Sequence, residues 1–127
     1  MSRQHRGSLA SSFGYAFQGI WTCIREERNI KIHLTVTGLV VFFGFFLGIS
    51  KTEWCICLCL FGLVLALELV NTAVESAVDL VTEERKPLAK KAKDTAAGAV
   101  LIAAICAAIA GLIIFLPKGI AFLQNLG

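Results

Sequence analysis

The feature that most constrains this chain is a long uncharged run at residues 95–117. As a helix, this run can cross a hydrocarbon core of about 30 Å by itself. A second uncharged run covers residues 34–49, and a third apolar stretch at 54–81 is interrupted by polar groups. With 57% hydrophobic and only 17% charged residues, the chain is more apolar than a soluble domain of its size can bury. We therefore predict an all-α integral membrane protein with three transmembrane helices.

The chain has 127 residues, which is room for one domain. Two prolines mark its internal boundaries, because Pro87 breaks the helical pattern between the last two apolar stretches and Pro117 is expected to end the third span. The predicted parts are an N-terminal segment with a surface helix (1–29), a first span (about 30–49), a second span (54–81), a cytoplasmic loop (82–94) and a third span (95–117).

The basic residues are distributed unevenly around these spans. Of the 12 Lys and Arg residues, only Lys51 and Lys118 lie on one side, and all others lie on the other side. By the positive-inside rule, the N-terminus and the loop are expected in the cytoplasm and the C-terminus outside. Arg3 and Arg6 precede a weakly apolar segment that is not typical of a cleavable signal, so the whole chain is expected to be mature. Charges that flank spans attract anionic lipid headgroups, so we expect no nucleic-acid partner.

The N-terminal segment has its own helical pattern. Leu9, Phe13 and Phe17 recur at helical spacing, with polar residues largely between them. This pattern predicts an amphipathic helix in the headgroup region, where aromatic residues such as Tyr15 and Trp21 are favoured. A helix that caps the bundle from the aqueous side would show the same pattern, and the sequence leaves both arrangements open.

Small residues suggest helix packing and association of chains. In the third span Ala99, Ala103, Ala107 and Gly111 recur at four-residue intervals and form a flat stripe where another helix can pack. Three spans offer little surface to shelter polar side chains from lipid, so we expect a homo-oligomer. The number of subunits does not follow from this argument.

The cysteines invite a metal site, but their spacing does not suit one. Cys55, Cys57 and Cys59 alternate along the second span. Alternate residues of a helix point about 200° apart, so the three thiols cannot converge on one ion. We expect them to act as small buried apolar residues.

A row of polar residues lies on one face of the second span. Glu68, Asn71, Glu75 and Asp79 fall at offsets of three, seven and eleven, which places them in a stripe roughly 80° wide at about 100° per residue. Counted from Trp54 at about 1.5 Å per residue, Glu68 lies ~21 Å and Glu75 ~31 Å along the span. An acidic residue near the bilayer centre costs at least ~2.5 kcal/mol, so the row indicates a functional site. The alternative is a polar clamp between helices.

The row offers the groups that phosphoryl transfer needs. Glu75, near water, can hold a hard cation such as Mg²⁺, which takes few carboxylates and keeps waters and phosphates as further ligands. Glu68 is deeper, and its removal from water suits a general base that takes a proton from a hydroxyl. Asn71 can orient a substrate without adding charge, while Lys93 and Asp94 can contact phosphates and accept hydrogen bonds. The sequence contains no Walker A or kinase Gly-rich loop, so a nucleotide site must be built from helix faces and the loop.

These residues carry a resemblance to a known family. The row Glu68-Leu-Val-Asn71-Thr-Ala-Val-Glu75-Ser-Ala-Val-Asp79, followed by Ala92-Lys93-Asp94 and an Ala/Gly-rich span, resembles the small prokaryotic diacylglycerol kinase and undecaprenol kinase family. The resemblance covers nearly the whole chain.

Two further positions bear on the branch of that family. Leu80 and His33 resemble the residues of the undecaprenol kinase branch at these positions. The loop departs from the enteric diacylglycerol kinases, which have Tyr-His where this chain has Arg85-Lys86.

The resemblance implies a lipid kinase of the bacterial inner membrane that is a homotrimer with active sites between adjacent subunits. It implies ATP as the phosphoryl donor and Mg²⁺ held by Glu27 and Glu75, and Glu68 matches the general base of the family. The other positions that match the family's active site are Tyr15, Asn71, Glu84, Arg85, Lys86, Lys93 and Asp94.

The leading hypothesis is transfer of the γ-phosphoryl group of ATP to the hydroxyl of undecaprenol at the cytoplasmic membrane surface, with diacylglycerol as the alternative substrate. Two other classes use the same row: a proton or cation pathway, and a structural membrane subunit. The Lys93-Asp94 pair and Glu27 favour the kinase, because a pathway needs polar groups as far as the outer boundary and residues 54–66 offer only thiols.

Overall fold

The computed structural model describes residues 7–127, and this part of the chain consists of helices joined by short connections. Arg3 and Arg6, which contribute to the predicted orientation, lie outside the described residues. The helices are α1 (Leu9–Glu26), α2 (Arg28–Leu47), α3 (Lys51–Val81) and α4 (Pro87–Leu126). The predicted all-α fold is confirmed for the described residues.

Among residues 7–127, three helices are long and apolar enough to cross a membrane. They have 20, 31 and 40 residues and are α2, α3 and α4, so the predicted three spans each have a helix. At about 1.5 Å per residue, α3 and α4 are longer than the ~30 Å of a hydrocarbon core, so both extend beyond it. Helix α1 forms as predicted, and its location at the membrane surface stays a prediction.

The turn between α2 and α3 is set by local sequence. Gly48 ends α2 at φ 68°, in the left-handed region that glycine tolerates. Ser50 then caps α3: its Oγ accepts from the Glu53 N–H at 3.2 Å, and its own N–H donates to Glu53 Oε1 at 2.9 Å. This reciprocal capping box satisfies two backbone donors and fixes where α3 begins.

The two prolines have different outcomes. Pro87 does interrupt the helical pattern, and it stands at the first position of α4, where its missing N–H is not needed. Only residues 82–86 are therefore non-helical, and the rest of the predicted 82–94 loop is the first part of α4.

Pro117 does not end its helix, and that expectation was wrong for the helix, since α4 continues through Pro117 to Leu126. Packing on both sides offsets the lost hydrogen bond: Ile114 belongs to the core, and the rings of Phe122 and Phe46 lie 5.1 Å apart.

The buried side of α3 changes from apolar to polar along its length. Its buried residues are Cys57, Val64, Glu68 and Asn71, spaced so that they share one face. At one end, Cys57 packs with Ile49 and Ile114. The same face therefore continues from an apolar core into the polar row, and it carries Glu68 and Asn71 into the interior of the bundle.

The cysteines diverge on α3, as predicted, but they are not all buried. Cys57 is buried, whereas Cys55 and Cys59 are exposed in the single chain. The expectation of burial is thus wrong for these two thiols, because the face opposite the core turns outward. Cys106 is also exposed, and Cys23 is buried.

Candidate active site

The site is centred on two buried polar side chains of α3. Within the described residues, Glu68 and Asn71 are the only buried polar or charged residues, with 4% and 7% of their surfaces exposed. Burying polar groups without partners is costly, so their surroundings decide what they can do.

Glu68 faces a histidine from the neighbouring helix. His33 of α2 places Nε2 3.2 Å from Glu68 Oε1, and the side chains are 24% and 5% exposed. In the sequence, His33 indicated only the branch of the family, and its contact with Glu68 was not predicted. The signal was present, because an ionisable side chain inside an otherwise apolar span indicates function by default.

Asn71 is only partly satisfied. Its Nδ2 donates to Glu75 Oε1 at 3.3 Å, whereas its Oδ1 is buried and has no hydrogen-bond partner among the described residues. A buried acceptor without a partner costs about 1–3 kcal/mol. Such an atom is suited to accept a hydrogen bond from a bound molecule.

The cytoplasmic end of the row is joined to α4. Lys93 Nζ lies 2.6 Å from Asp79 Oδ1, with both side chains partly exposed. One turn before, Lys90 pairs with Asp94, and this hydrogen bond together with the negative charge raises the pKa of Lys90. Exposed pairs of this kind contribute little to stability, so they mainly arrange charge near the cavity.

An open cavity of about 510 Å³ lies beside the turn between α3 and α4. Its lining brings the predicted loop residues Glu84, Arg85 and Lys86 together with Lys93 and Asp94. Sites for small molecules commonly have volumes of roughly 300–1,000 Å³. The cavity therefore joins two sequence motifs that lie apart along the chain, and it presents basic and acidic groups at the end of the polar row.

Glu27 lies at the junction of α1 and α2. Its extended backbone (φ −99°, ψ 122°) separates the two helices, and its N–H donates to the Cys23 carbonyl. Cys23 Sγ contacts Thr72 Oγ1 at 3.5 Å, which fixes the end of α1 against the row. The predicted pair of Glu27 and Glu75 is thus carried by two segments that meet.

The carboxylates do not form a closed metal site. The part of the chain that the structure describes has no group of three or more His, Cys, Asp or Glu side chains able to hold an ion. Two carboxylates nevertheless suit Mg²⁺, which takes its remaining ligands from waters and phosphates. The assignment of Mg²⁺ to Glu27 and Glu75 stays a prediction.

Tyr15 is not brought to the site within this chain. Its side chain is 66% exposed on α1, and it is absent from the lining of the cavity. Its predicted location near the nucleotide stays a prediction.

Comparison with known proteins defines the class of this chain. Residues 14–115 match the prokaryotic diacylglycerol kinase family, and the chain belongs to that family. It is a membrane lipid kinase, a phosphotransferase that acts on an alcohol group, with ATP as co-substrate. The predicted family and enzyme class are confirmed, and the two non-enzymatic hypotheses are set aside.

Individual relatives sharpen the comparison. The chain is 47% identical over 120 residues to the undecaprenol kinase of Bacillus subtilis (strain 168). The matched region covers 92% of this chain and 98% of that protein. It is 44% identical over 115 residues to a diacylglycerol kinase of Synechocystis, covering 87% of this chain and 63% of that protein. A diacylglycerol kinase of Haemophilus influenzae is 35% identical over 95 residues, covering 75% and 80%. This order agrees with the predicted resemblance to the undecaprenol kinase branch.

Proposed function

We propose that this lipid kinase transfers the γ-phosphoryl group of ATP to the hydroxyl of undecaprenol at the cytoplasmic face of the bacterial inner membrane. The observation that carries the proposal is the burial of Glu68 beside Asn71, whose Oδ1 has no partner among the described residues. The similarity to the Bacillus subtilis enzyme favours undecaprenol as the lipid. Diacylglycerol is the second candidate, because other relatives bear that name.

Glu68 is the proposed general base. As the lipid oxygen forms a bond to the γ-phosphorus, its proton passes to the Glu68 carboxylate, and the bond from this phosphorus to the bridging oxygen of ADP breaks. Because only 4% of the Glu68 surface is exposed, water competes little with the carboxylate for that proton. Its location within an apolar face also suits a hydroxyl that arrives through the bilayer.

Asn71 is the proposed orienting residue. Its free Oδ1 can accept a hydrogen bond from the lipid hydroxyl before transfer, while its Nδ2 is engaged with Glu75. The amide thereby holds Glu75, the next carboxylate towards the cytoplasm, without adding charge. Correct placement of the reacting oxygen supplies much of the rate in such reactions.

The nucleotide is proposed to bind in the cavity at the α3–α4 turn. Arg85, Lys86 and Lys93 supply positive charge there, and Glu84 and Asp94 supply acceptors. Tyr15 is proposed to approach the nucleotide in the assembled protein. Charge placed around the phosphates contributes most of the catalysis in phosphoryl transfer.

Glu27 and Glu75 are the proposed ligands of Mg²⁺. When bound, the ion neutralises phosphate charge and orients the transferred group. Glu75 is already held by the Asn71 amide at 3.3 Å, and Glu27 is fixed by the end of α1. We also propose a cytoplasmic N-terminus, α1 at the membrane surface, and a homotrimer with sites between subunits.

Phosphoryl transfer by the purified protein tests this function. Labelled ATP is supplied with undecaprenol or diacylglycerol in mixed micelles, and we expect label predominantly on undecaprenol. Glu68→Gln and Glu75→Gln are expected to abolish transfer. Glu53→Gln is the matched control, because Glu53 lies on the same helix as a cap that Gln can replace.

The outcomes are distinct. Preferential labelling of diacylglycerol would replace the lipid in this proposal with the second candidate. Full activity of both Glu68→Gln and Glu75→Gln would contradict the assigned roles.

A further inference from the structure

We infer that His33 is a positioning residue for Glu68. Its imidazole Nε2 holds Oε1 of the carboxylate, so that the other oxygen, Oε2, is aimed at the lipid hydroxyl. The inference rests on the proposed function, since it assigns a role to His33 in the same reaction.

Helix α2 places the imidazole of His33 beside the Glu68 carboxylate. Nε2 lies 3.2 Å from Glu68 Oε1, a close contact between a basic and an acidic side chain. His33 is 24% exposed and Glu68 5% exposed at the side chain, so the contact lies where water competes little. One turn further along α2, Thr37 Oγ1 donates to the His33 carbonyl at 2.8 Å and is satisfied within its own helix.

Helices α2 and α4 carry few titratable side chains apart from His33 along their apolar stretches. On α2, His33 is the only titratable side chain after Lys31, and on α4 Cys106 is the only one between Asp94 and Lys118. Cys106 is exposed, while the buried residues of that stretch are Val100, Ala103 and Ile114. The buried residues that α4 contributes are thus all apolar and carry no charge.

The remaining neighbours are engaged elsewhere. On α3, Glu75 lies two turns towards the cytoplasm and accepts from Asn71. The end of α1 carries Arg25, Glu26 and Glu27, and it meets α3 through Cys23 and Thr72. Among residues 7–127, His33 is the one basic side chain that contacts the Glu68 carboxylate.

A general base needs this kind of restraint. The terminal torsion of a glutamate is broad, so a carboxylate without a partner samples many orientations. A contact at Oε1 fixes the plane of the group and directs Oε2 at one position. A misplacement of about 1 Å near reacting atoms can lower a rate by roughly 100-fold. Loss of the contact should therefore act on the chemical step.

A purely structural role for His33 gives different results in a substitution series. Gln places its amide nitrogen where histidine has Nε2, whereas Asn reaches only the location of Nδ1. Phe fills the volume of the ring without donating a hydrogen bond. His33→Gln, His33→Asn and His33→Phe therefore separate the Nε2 contact from the shape of the side chain. Thr37→Val is the matched control on the same helix.

Steady-state kinetics of the full-length variants in mixed micelles tests the inference. His33→Phe and His33→Asn are expected to lower kcat by roughly 10- to 100-fold, with KM for ATP and lipid changed by less than about twofold. His33→Gln is expected to recover most of the lost kcat, and Thr37→Val to behave as the unchanged protein.

Two results would overturn the inference. If His33→Phe keeps full kcat, or if Gln and Asn are equally impaired, His33 does not act through Nε2. In both cases the unchanged protein is active, so the proposed function survives. An unchanged protein that phosphorylates neither lipid would overturn the proposed function itself, and this inference with it.

Discussion

At the scale of single residues, Asn71 combines a buried amide with an acceptor that has no partner among the described residues. This combination is unfavourable for stability, because a buried polar atom loses its hydrogen bonds to water on folding. Sites that bind or react often retain such costs. Asn71 therefore provides a way to separate function from stability.

Asn71→Leu is expected to lower phosphoryl transfer by about 100-fold while leaving thermal stability equal or higher. Leu removes the orphaned acceptor and fills a similar volume, but it cannot orient a hydroxyl or hold Glu75. Transfer rates and thermal unfolding in detergent give the two values. A variant that loses stability along with activity would show that the amide is structural.

The pair of Lys93 and Asp79 gives a second test at this scale. Exchanging the two residues, as Asp79→Lys with Lys93→Asp, preserves an ion pair but moves the positive charge from α4 to α3. Because exposed pairs contribute ~0–1 kcal/mol, the fold should persist. We expect KM for ATP to rise at least about tenfold, since Lys93 lines the cavity. Unchanged KM for ATP would limit Lys93 to pairing with Asp79.

Residue spacing predicted much of this site, and packing between helices supplied the rest. The period of a helix was enough to place Glu68, Asn71, Glu75 and Asp79 on one face. It could not show that His33 meets Glu68 or that Lys93 meets Asp79, because both contacts depend on how separate helices are aligned. The relative position of two helices depends on the packing of many side chains at once, and it cannot be predicted from the spacing of residues in one sequence.

At the scale of elements, the helices follow the apolar runs, and their ends depend on local contacts. Pro87 begins α4 and Pro117 lies within it, although both residues lack a backbone N–H. The difference is position: a first-turn proline loses nothing, whereas Pro117 is tolerated because α4 is packed before and after it. Sequence predicts the cost of a proline but not the contacts that offset it.

Gly44 gives the sharpest prediction for an element. A Cβ at this position would lie 2.6 Å from Trp54 Cη2 and 2.9 Å from Cζ2, so the indole would have to move. Gly44→Ala is expected to lower the free energy of unfolding by about 1–3 kcal/mol through overpacking. Gly38→Ala on the same helix is the control, because a Cβ added at Gly38 would have nothing within 4 Å.

Unfolding of the two alanine variants in the same detergent checks this prediction. Gly38→Ala should be neutral or slightly stabilising, since Ala is favoured over Gly in a helix by up to about 1 kcal/mol. Equal stability of both variants would mean that Trp54 does not pack against Gly44 in the membrane.

At the scale of the whole molecule, the single chain leaves much apolar surface uncovered. Exposed large side chains occur along each of the three long helices, for example Phe45 on α2, Leu58 on α3 and Ile113 on α4. Lipid and neighbouring chains are the surroundings that such surfaces favour. Tyr15 is also absent from the cavity lining within one chain, which agrees with the proposal that sites are completed between subunits.

The proposed trimer predicts that activity depends on assembly. Native mass spectrometry in detergent micelles is expected to give three chains, and dilution into harsher detergents that release single chains should abolish transfer. Recovery of activity on return to the mild detergent would exclude irreversible damage. Single chains that remain fully active would contradict composite sites.

The role of Glu68 as the base is tested most directly by single-turnover transfer from bound ATP to undecaprenol, with ATP binding measured on the same sample. For Glu68→Gln, we predict ATP binding within about twofold of the unchanged protein and transfer slower by at least about 100-fold. Transfer by Glu68→Gln at the unchanged rate would contradict the account.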